Sequence, residues 1–317
     1  MARVAGIDCG TNSIRLLVAD VDDQGRLTDL DRRMEVVRLG QGVDRTGRIA
    51  PEALERTLDA ARRYAAICDD LGAERVRFVA TSATRDAENR GDFVAGIRDV
   101  LGVEPEVIDG SEEAALSFRG ATSVLAGRHP GPFLVVDIGG GSTEVVLGTT
   151  SVVASHSMDV GCVRLTERHL HSDPPTPAEI AAASADVVAA LDAAARDVPF
   201  GRAATLVGLA GSVTTVTAHV LDLDEYDPLA IDGAVLPVDE VLAASRELLT
   251  MSRAKRARLP FMHPGRVDVI GAGALVWSDV VSRVRADVGA AGGRLRTVVV
   301  SEHDILDGIT LSAAERV

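Results

Sequence analysis

No apolar run in these 317 residues approaches the roughly 20 that a membrane-spanning helix needs, although 46% of the chain is hydrophobic. Cysteine is scarce. Cys9, Cys68 and Cys162 are too few and too scattered for a disulfide framework, which points to a reducing, cytoplasmic setting. Lys255 is the single lysine, so arginine carries nearly all positive charge, a composition bias from which no function follows. Positive charge is itself in deficit: 33 Lys and Arg stand against 47 Asp and Glu, for a formal net charge of −14. That balance argues against nucleic-acid binding, and any polyanionic ligand must be met by a local positive cluster. No Gly-x-x-x-x-Gly-Lys-Ser/Thr is present, which excludes a P-loop; no Gly-x-Ser-x-Gly elbow is present either, which weakens acyl transfer. The first motif starts almost at Met1, leaving no room for a signal peptide. What is left is a chain long enough for sizeable cores, read as two domains.

Its most informative stretch is Asp137-Ile-Gly-Gly-Gly-Ser-Thr-Glu144, set between apolar residues 133–136 and 145–147. Apolar run, Gly-rich turn, apolar run predicts a β-hairpin. Glycines at the tip let successive backbone N–H groups converge on an anion, and Ser142 and Thr143 add hydroxyls. Asp137 and Glu144 cannot bind phosphate, but they can hold a divalent cation or a water beside it. The stretch has a twin near the N-terminus. Set over residues 8–18, Asp8 matches Asp137, Gly10 matches Gly139 and Ser13 matches Ser142. A strand, acidic phosphate turn and strand repeated in two halves predicts two similar domains facing one another, with a ligand between them.

Elsewhere strands and helices alternate, giving a mixed α/β chain. Residues 34–39 read as a strand. A helix opens at Pro51 and ends at Gly72, with Leu54, Leu58, Ala61, Ala65 and Cys68 on its apolar face. Residues 75–80 form a strand and 81–86 the loop beyond it; a helix over 92–101 and a short strand at 106–108 follow. Ser111 suits an N-cap for a helix to about Leu125. Further on, 151–157 is a strand, and Thr176 with Glu179 forms a capping box for a helix to about Asp197. A strand at 205–210 leads to a helix at 213–219. Helices are expected at 238–249, 264–284 and from Glu302 onward, with a strand at 297–300.

Single motifs have ordinary readings. Arg85 could grip a phosphate bidentately, or be a surface arginine. Glu112 and Glu113 lie in a helix's first turn, where acids complement the dipole; one of them could instead activate water, and spacing does not choose between them. Residues 208–212 repeat the strand–glycine–helix device and could hold a phosphate, or form a tight turn. The basic run at 253–258 reads as a solvated helix face. His303 and Asp304 resemble a metal dyad without suitable partners, and His169 with His171 makes no convincing metal pair.

Together the motifs are specific. Residues 7–15, 80–85, 111–114, 136–144, 161–163, 208–212 and 266–270 resemble, in order and over essentially the whole chain, the exopolyphosphatase / guanosine pentaphosphate phosphohydrolase (Ppx/GppA) family. The resemblance implies two ribonuclease-H-like, actin-like ATPase superfamily domains flanking a central cleft, at 1–119 and 120–317, with the last helix (about 303–317) packing back on the first. It implies Glu113 as catalytic base, Asp137 as a further catalytic group, and Asp137, Glu144 and Asp8 around Mg²⁺ or Mn²⁺. Thr11, Asn12, Ser13, Arg85, Gly139, Gly140, Gly141 and Ser142 fall on phosphate-binding positions, and Arg15 and Arg266 on a substrate path. The implied activity is release of terminal orthophosphate from inorganic polyphosphate by a cytoplasmic homodimer. Hydrolysis of pppGpp is the alternative, ahead of an actin-like kinase or ATPase and of a non-catalytic (p)ppGpp sensor. Two departures stand out. Ala115 occupies a position where many relatives have Arg, and the helical C-terminal region of longer relatives is missing, which puts long-chain processivity in doubt.

Overall fold

The structure, a computed structural model, describes residues 1–125 and 127–315. The chain forms two compact units, one of Met1–Gly120 with the segment from Asp304 onward, the other of Ala121–His303.

The first unit is built on β1 (Ala2–Cys9), β2 (Ser13–Val21), β3 (Leu27–Val36), β4 (Arg75–Ala80) and β5 (Glu106–Val107). The sheet order is β3-β2-β1-β4-β5, with β1, β2 and β3 antiparallel and β4 and β5 parallel to β1. Both faces of β1 and β2 are covered, which is why they read as apolar runs rather than alternating ones. Their residues still sort by parity. Ala5, Ile7 and Cys9 with Ile14, Leu16 and Val18 pack against Tyr64, Phe93 and Ile97 of helices Pro51–Leu71 and Arg90–Leu101. Leu17, Ala19 and Val21 face the other way, toward Leu306, Leu311 and Ala313 of the final helix, Ile305–Glu315. Residues 316–317 of the expected last helix lie outside the described residues.

The second unit contains β6 (Phe133–Ile138), β7 (Thr143–Gly148), β8 (Val152–Met158), β9 (Thr205–Leu209), β10 (Val235–Pro237) and β11 (Thr297–Val300). Its order, β8-β7-β6-β9-β11-β10, repeats the third-second-first-fourth-fifth arrangement and adds β10 antiparallel at the edge. The two units thus share one ribonuclease-H-like strand order.

Several expectations shift. The third strand spans Leu27–Val36, not 34–39. It is an exposed edge strand rich in Asp29, Asp31, Arg32 and Arg33, so apolar alternation is missing and charge guards the edge. The helix from Pro51 buries Ala53, Thr57, Ala60, Ala61, Tyr64 and Cys68, a face turned slightly from the expected one. Residues expected as loop form the short helix Ser82–Asp86. Asp109, not Ser111, caps the helix Gly110–Leu125: its Oδ1 accepts from the amides of Ser111 and Glu112, both at 2.9 Å. Pro264–Arg266 is a 3₁₀ turn, and the long helix runs Ile270–Ala290. Arg256 of the basic run is buried rather than solvated, donating to the Leu248 and Leu249 carbonyls that end the preceding helix.

Candidate active site

Each unit ends its first hairpin in the same turn. Gly10 N donates to the Ser13 carbonyl at 2.9 Å, and Gly139 N to the Ser142 carbonyl at 3.0 Å. In both cases the segment after the third strand grips the carbonyls of the tip. In the second unit Cys162 N donates to Gly139 O (3.0 Å), Val163 N and Arg164 N to Gly140 O (2.9 and 3.1 Å), and Arg164 Nε to Gly141 O (2.7 Å). A trans peptide points its C=O and N–H in opposite directions. Anchoring these three carbonyls on one side therefore turns the N–H groups of Gly140, Gly141 and Ser142 to the other. Among the described residues those amides donate to no acceptor, and together they form an anion-binding nest. In the first unit Gly40 N holds Thr11 O (2.8 Å), and Val37 N and Arg38 N hold Asn12 O (3.1 and 2.8 Å), which orients the amides of Asn12 and Ser13 likewise. Thr11 Oγ1 is buried without a hydrogen-bond partner among the described residues, a state native structures rarely leave unexplained.

Below the tips the units part ways. In the first, Asp8 lies opposite Arg15, and Arg15 opposite Met34. Arg15 donates to Asp8 through Nε and Nη2 (2.9 and 2.6 Å) and pairs with Asp304 through Nη1. Burial pushes the Asp8 carboxyl above its usual range, partly offset by Arg15, while burial of Arg15 is outweighed by Asp304 and Asp8, which hold it firmly charged. Asp8, expected at the cation, thus already has a counter-charge, and Arg15, expected on a substrate path, is engaged on three nitrogens. In the second unit Asp137 lies opposite Glu144, and Glu144 opposite Ser157, whose Oγ donates to Glu144 Oε1 at 2.7 Å. The two carboxylates are 6% and 1% exposed. Two oxygen-donor side chains facing each other on one ladder are a donor set that a divalent cation can use. Among the described residues no group of three or more His, Cys, Asp or Glu is arranged to hold a metal. A two-carboxylate site suits Mg²⁺, which fills its remaining positions with water and phosphate oxygens.

The first unit also separates its paired glutamates. Glu112 turns to Arg77 (2.6 Å), a buried arginine shared with Glu106. Glu113 is 7% exposed and accepts from Arg85 Nη1 at 3.1 Å; the same nitrogen donates to Ile108 O at 3.0 Å. The Nε and Nη2 of Arg85 donate to nothing among the described residues, leaving a two-pronged donor edge of the kind that suits phosphate. In the second unit Arg266 stands 5.9 Å from the Tyr226 ring centre, donates to Thr215 Oγ1 at 3.3 Å, and packs on Gly211 where a Cβ would collide with it. His169 is taken by Asp186 at 2.7 Å. Sequence reasoning missed Asp109, Ser157 and Arg164, and noticed Asp304 only as half of an unpartnered metal dyad. Arg164 stood one residue beyond a motif already noticed, whereas the strand register that brings Ser157 to Glu144 has no local signal.

A phosphate nest beside buried carboxylates, on units of ribonuclease-H-like strand order, defines a phosphate-handling enzyme. The model of the Ppx/GppA phosphatase family matches residues 17–297, and the chain belongs to that family. Exopolyphosphatase 2 of Mycobacterium tuberculosis is 52% identical, with 99% of each chain covered. A crystal structure of an exopolyphosphatase-like protein matches at 49% identity and a TM-score of 0.96, again over 99% of each chain. The Aquifex aeolicus Ppx/GppA enzyme is 30% identical with a TM-score of 0.79, covering 98% of this chain and 99% of its own.

Proposed function

We propose that this phosphatase is an exopolyphosphatase: a metal-dependent hydrolase that releases terminal orthophosphate from inorganic polyphosphate. The carrying observation is the row of Asp137, Glu144 and Ser157 behind a tip whose three amides are turned outward. The substrate is taken from the relative that is 52% identical over 99% of both chains, itself named exopolyphosphatase 2.

The second unit's nest, at Gly140, Gly141 and Ser142, binds oxygens of the terminal phosphate, and Gly139 sets the turn. Mg²⁺ or Mn²⁺ bound at Asp137 and Glu144 supplies charge neutralisation for phosphate oxygens. In the first unit, Glu113 accepts a proton from the attacking water, whose oxygen bonds to the terminal phosphorus. The bridging P–O bond breaks, and its electron pair leaves on the shortened chain. Arg85 does two jobs: Nη1 fixes the Glu113 carboxylate, and the Nε/Nη2 edge holds phosphate. The Asn12 and Ser13 amides and the Thr11 hydroxyl offer further donors. Most of the acceleration in such chemistry comes from positioning and electrostatics. Asp8 and Arg15 serve the fold of the tip rather than the metal or the substrate path, and Arg266 shapes the start of the helix Ala210–Val220.

Phosphate release measured in parallel on short polyphosphate, long polyphosphate and pppGpp tests the reading. Polyphosphate is expected to be turned over faster than pppGpp. Turnover of pppGpp alone would replace the substrate. ATP-dependent phosphorylation of an acceptor without polyphosphate hydrolysis would replace the reaction. Glu113→Ala should fold normally and lose on the order of 10²-fold or more in rate; near-wild-type turnover removes it from the base role.

A further inference from the structure

We infer that Arg164 is a positioning residue that sets the phosphate nest by holding the Gly141 carbonyl. The inference rests on the reading that the 139–142 tip binds the terminal phosphate. Two of the three tip carbonyls are held by backbone amides in the first turn of the helix Cys162–His169: Gly139 O by Cys162, and Gly140 O by Val163 and Arg164. The third, Gly141 O, is held by a side chain, Arg164 Nε at 2.7 Å. That peptide carries the Ser142 N–H, the last donor of the nest. Glycine places no Cβ in the way of rotation, so an unanchored Gly141–Ser142 peptide is free to flip. A flip would present a carbonyl oxygen where a phosphate oxygen must sit, replacing attraction by repulsion.

The surroundings show that the neighbouring grip is fixed. Gly161, immediately before the helix, runs so close to the 140–141 backbone that any Cβ there would overlap Gly140 O and Gly141 N. Thr143 Oγ1 donates to Val160 O at 2.7 Å, tying the far side of the tip to the same segment. Backbone packing and the Thr143 hydroxyl thus fix residues 139–140 and 143, and leave the orientation of the 141–142 peptide to one guanidinium. Among the described residues the first unit shows no such side-chain grip on its tip: Thr11 O and Asn12 O accept from the backbone amides of Gly40, Val37 and Arg38.

Three measurements test this on the full chain: steady-state phosphate release from polyphosphate, inhibition by inorganic phosphate, and hydrogen exchange of the peptide covering 138–143. In Arg164→Met we expect KM and the inhibition constant for inorganic phosphate to rise about tenfold or more, as for loss of a charge-assisted hydrogen bond. Exchange at the tip should quicken while global unfolding is unchanged. Arg164→Lys, which keeps a cationic donor, should recover part of the affinity. Unchanged KM and phosphate inhibition in Arg164→Met would overturn the inference, and so would a lowered melting temperature with unchanged tip exchange. If Arg164→Met does not fold, Arg164→Lys decides alone: unchanged phosphate inhibition with unchanged tip exchange overturns it. Gly139→Ala and Ser142→Ala separate the two levels. If they too leave phosphate inhibition intact, the tip is not the phosphate site; if they weaken it and the Arg164 variants do not, only the role of Arg164 fails.

Discussion

The two hairpins share a turn, a register and a set of anchored carbonyls, yet the rows beneath them carry opposite chemistry. Reading across three strands, the first unit presents Asp8, Arg15 and Met34, and the second Asp137, Glu144 and Ser157. The first row is complete within the protein. Arg15 neutralises Asp8 and reaches Asp304, so the base of the hairpin is tied to the segment leading into the final helix. Arg32 with Asp307 repeats that tie one strand further out, at 2.7 Å. The second row places two buried carboxylates opposite each other, with the Ser157 hydroxyl on Glu144. The first copy carries its own arginine in the row, while the second puts two carboxylates and a hydroxyl there, oxygen donors of the kind a divalent cation takes.

The sharpest way to break this contrast is to make the same substitution at the two matched aspartates. Asp137→Asn is expected to lower phosphate release by about 10³-fold, since it removes a metal donor from a reaction that depends on charge stabilisation. Its melting temperature should hold, because the amide keeps the size and one oxygen of the carboxylate. Asp8→Asn should do the reverse, costing stability by leaving Arg15 with one carboxylate and changing the rate far less. Phosphate-release assays and thermal melts on both variants decide it. Equal losses of activity without loss of stability would show that Asp8 acts on substrate or metal after all.

Much of this was legible because it is local. Gly72 and Gly102 end their helices in the left-handed region at φ 69° and 68°, and Thr176 with Glu179 closes the capping box. The repeated acid–glycine–serine pattern gave both tips in register. The edge strand Leu27–Val36 was missed over most of its length because exposed charges, not alternation, fill it. Asp304 was weighed as a metal ligand and set aside, but its pairing with Arg15 spans 289 positions and leaves no trace in either segment alone. Glu112 and Glu113 were indistinguishable by spacing; burial and their different arginines separate them.

Removing Arg15 tests the structural copy directly. Arg15→Met leaves Asp8 and Asp304 buried and uncompensated, and breaking a buried pair in this way costs about 3–5 kcal/mol. The pH dependence has a definite sign. Burial already raises Asp8 above its ordinary 3.8. A folded-state value above the unfolded one gives a contribution that is fully present below the unfolded value and lost as pH rises through the folded one. Without Arg15 the raising grows, so the variant should lose most stability relative to the parent near neutral pH and regain part of it toward pH 4. Melting temperatures from pH 4 to pH 8 read this out. A difference between parent and variant that is flat with pH would mean Arg15 acts by packing alone.

The smallest expected effect falls on the other row. Ser157→Ala removes the hydroxyl that orients Glu144, and the matched position in the first unit, Met34, shows that the strand tolerates a side chain without that donor. Outer partners of metal-binding carboxylates typically contribute about 10-fold to 100-fold in metal affinity. The Mg²⁺ concentration for half-maximal phosphate release should therefore rise about tenfold, with the rate at saturating Mg²⁺ nearly unchanged. A matching change in Met34→Ala would not be expected, since no metal donor lies beside it. If Ser157→Ala instead lowers the saturated rate and leaves the Mg²⁺ dependence alone, Glu144 is acting on water or substrate rather than on the cation, and the division of labour between the two rows would have to be redrawn.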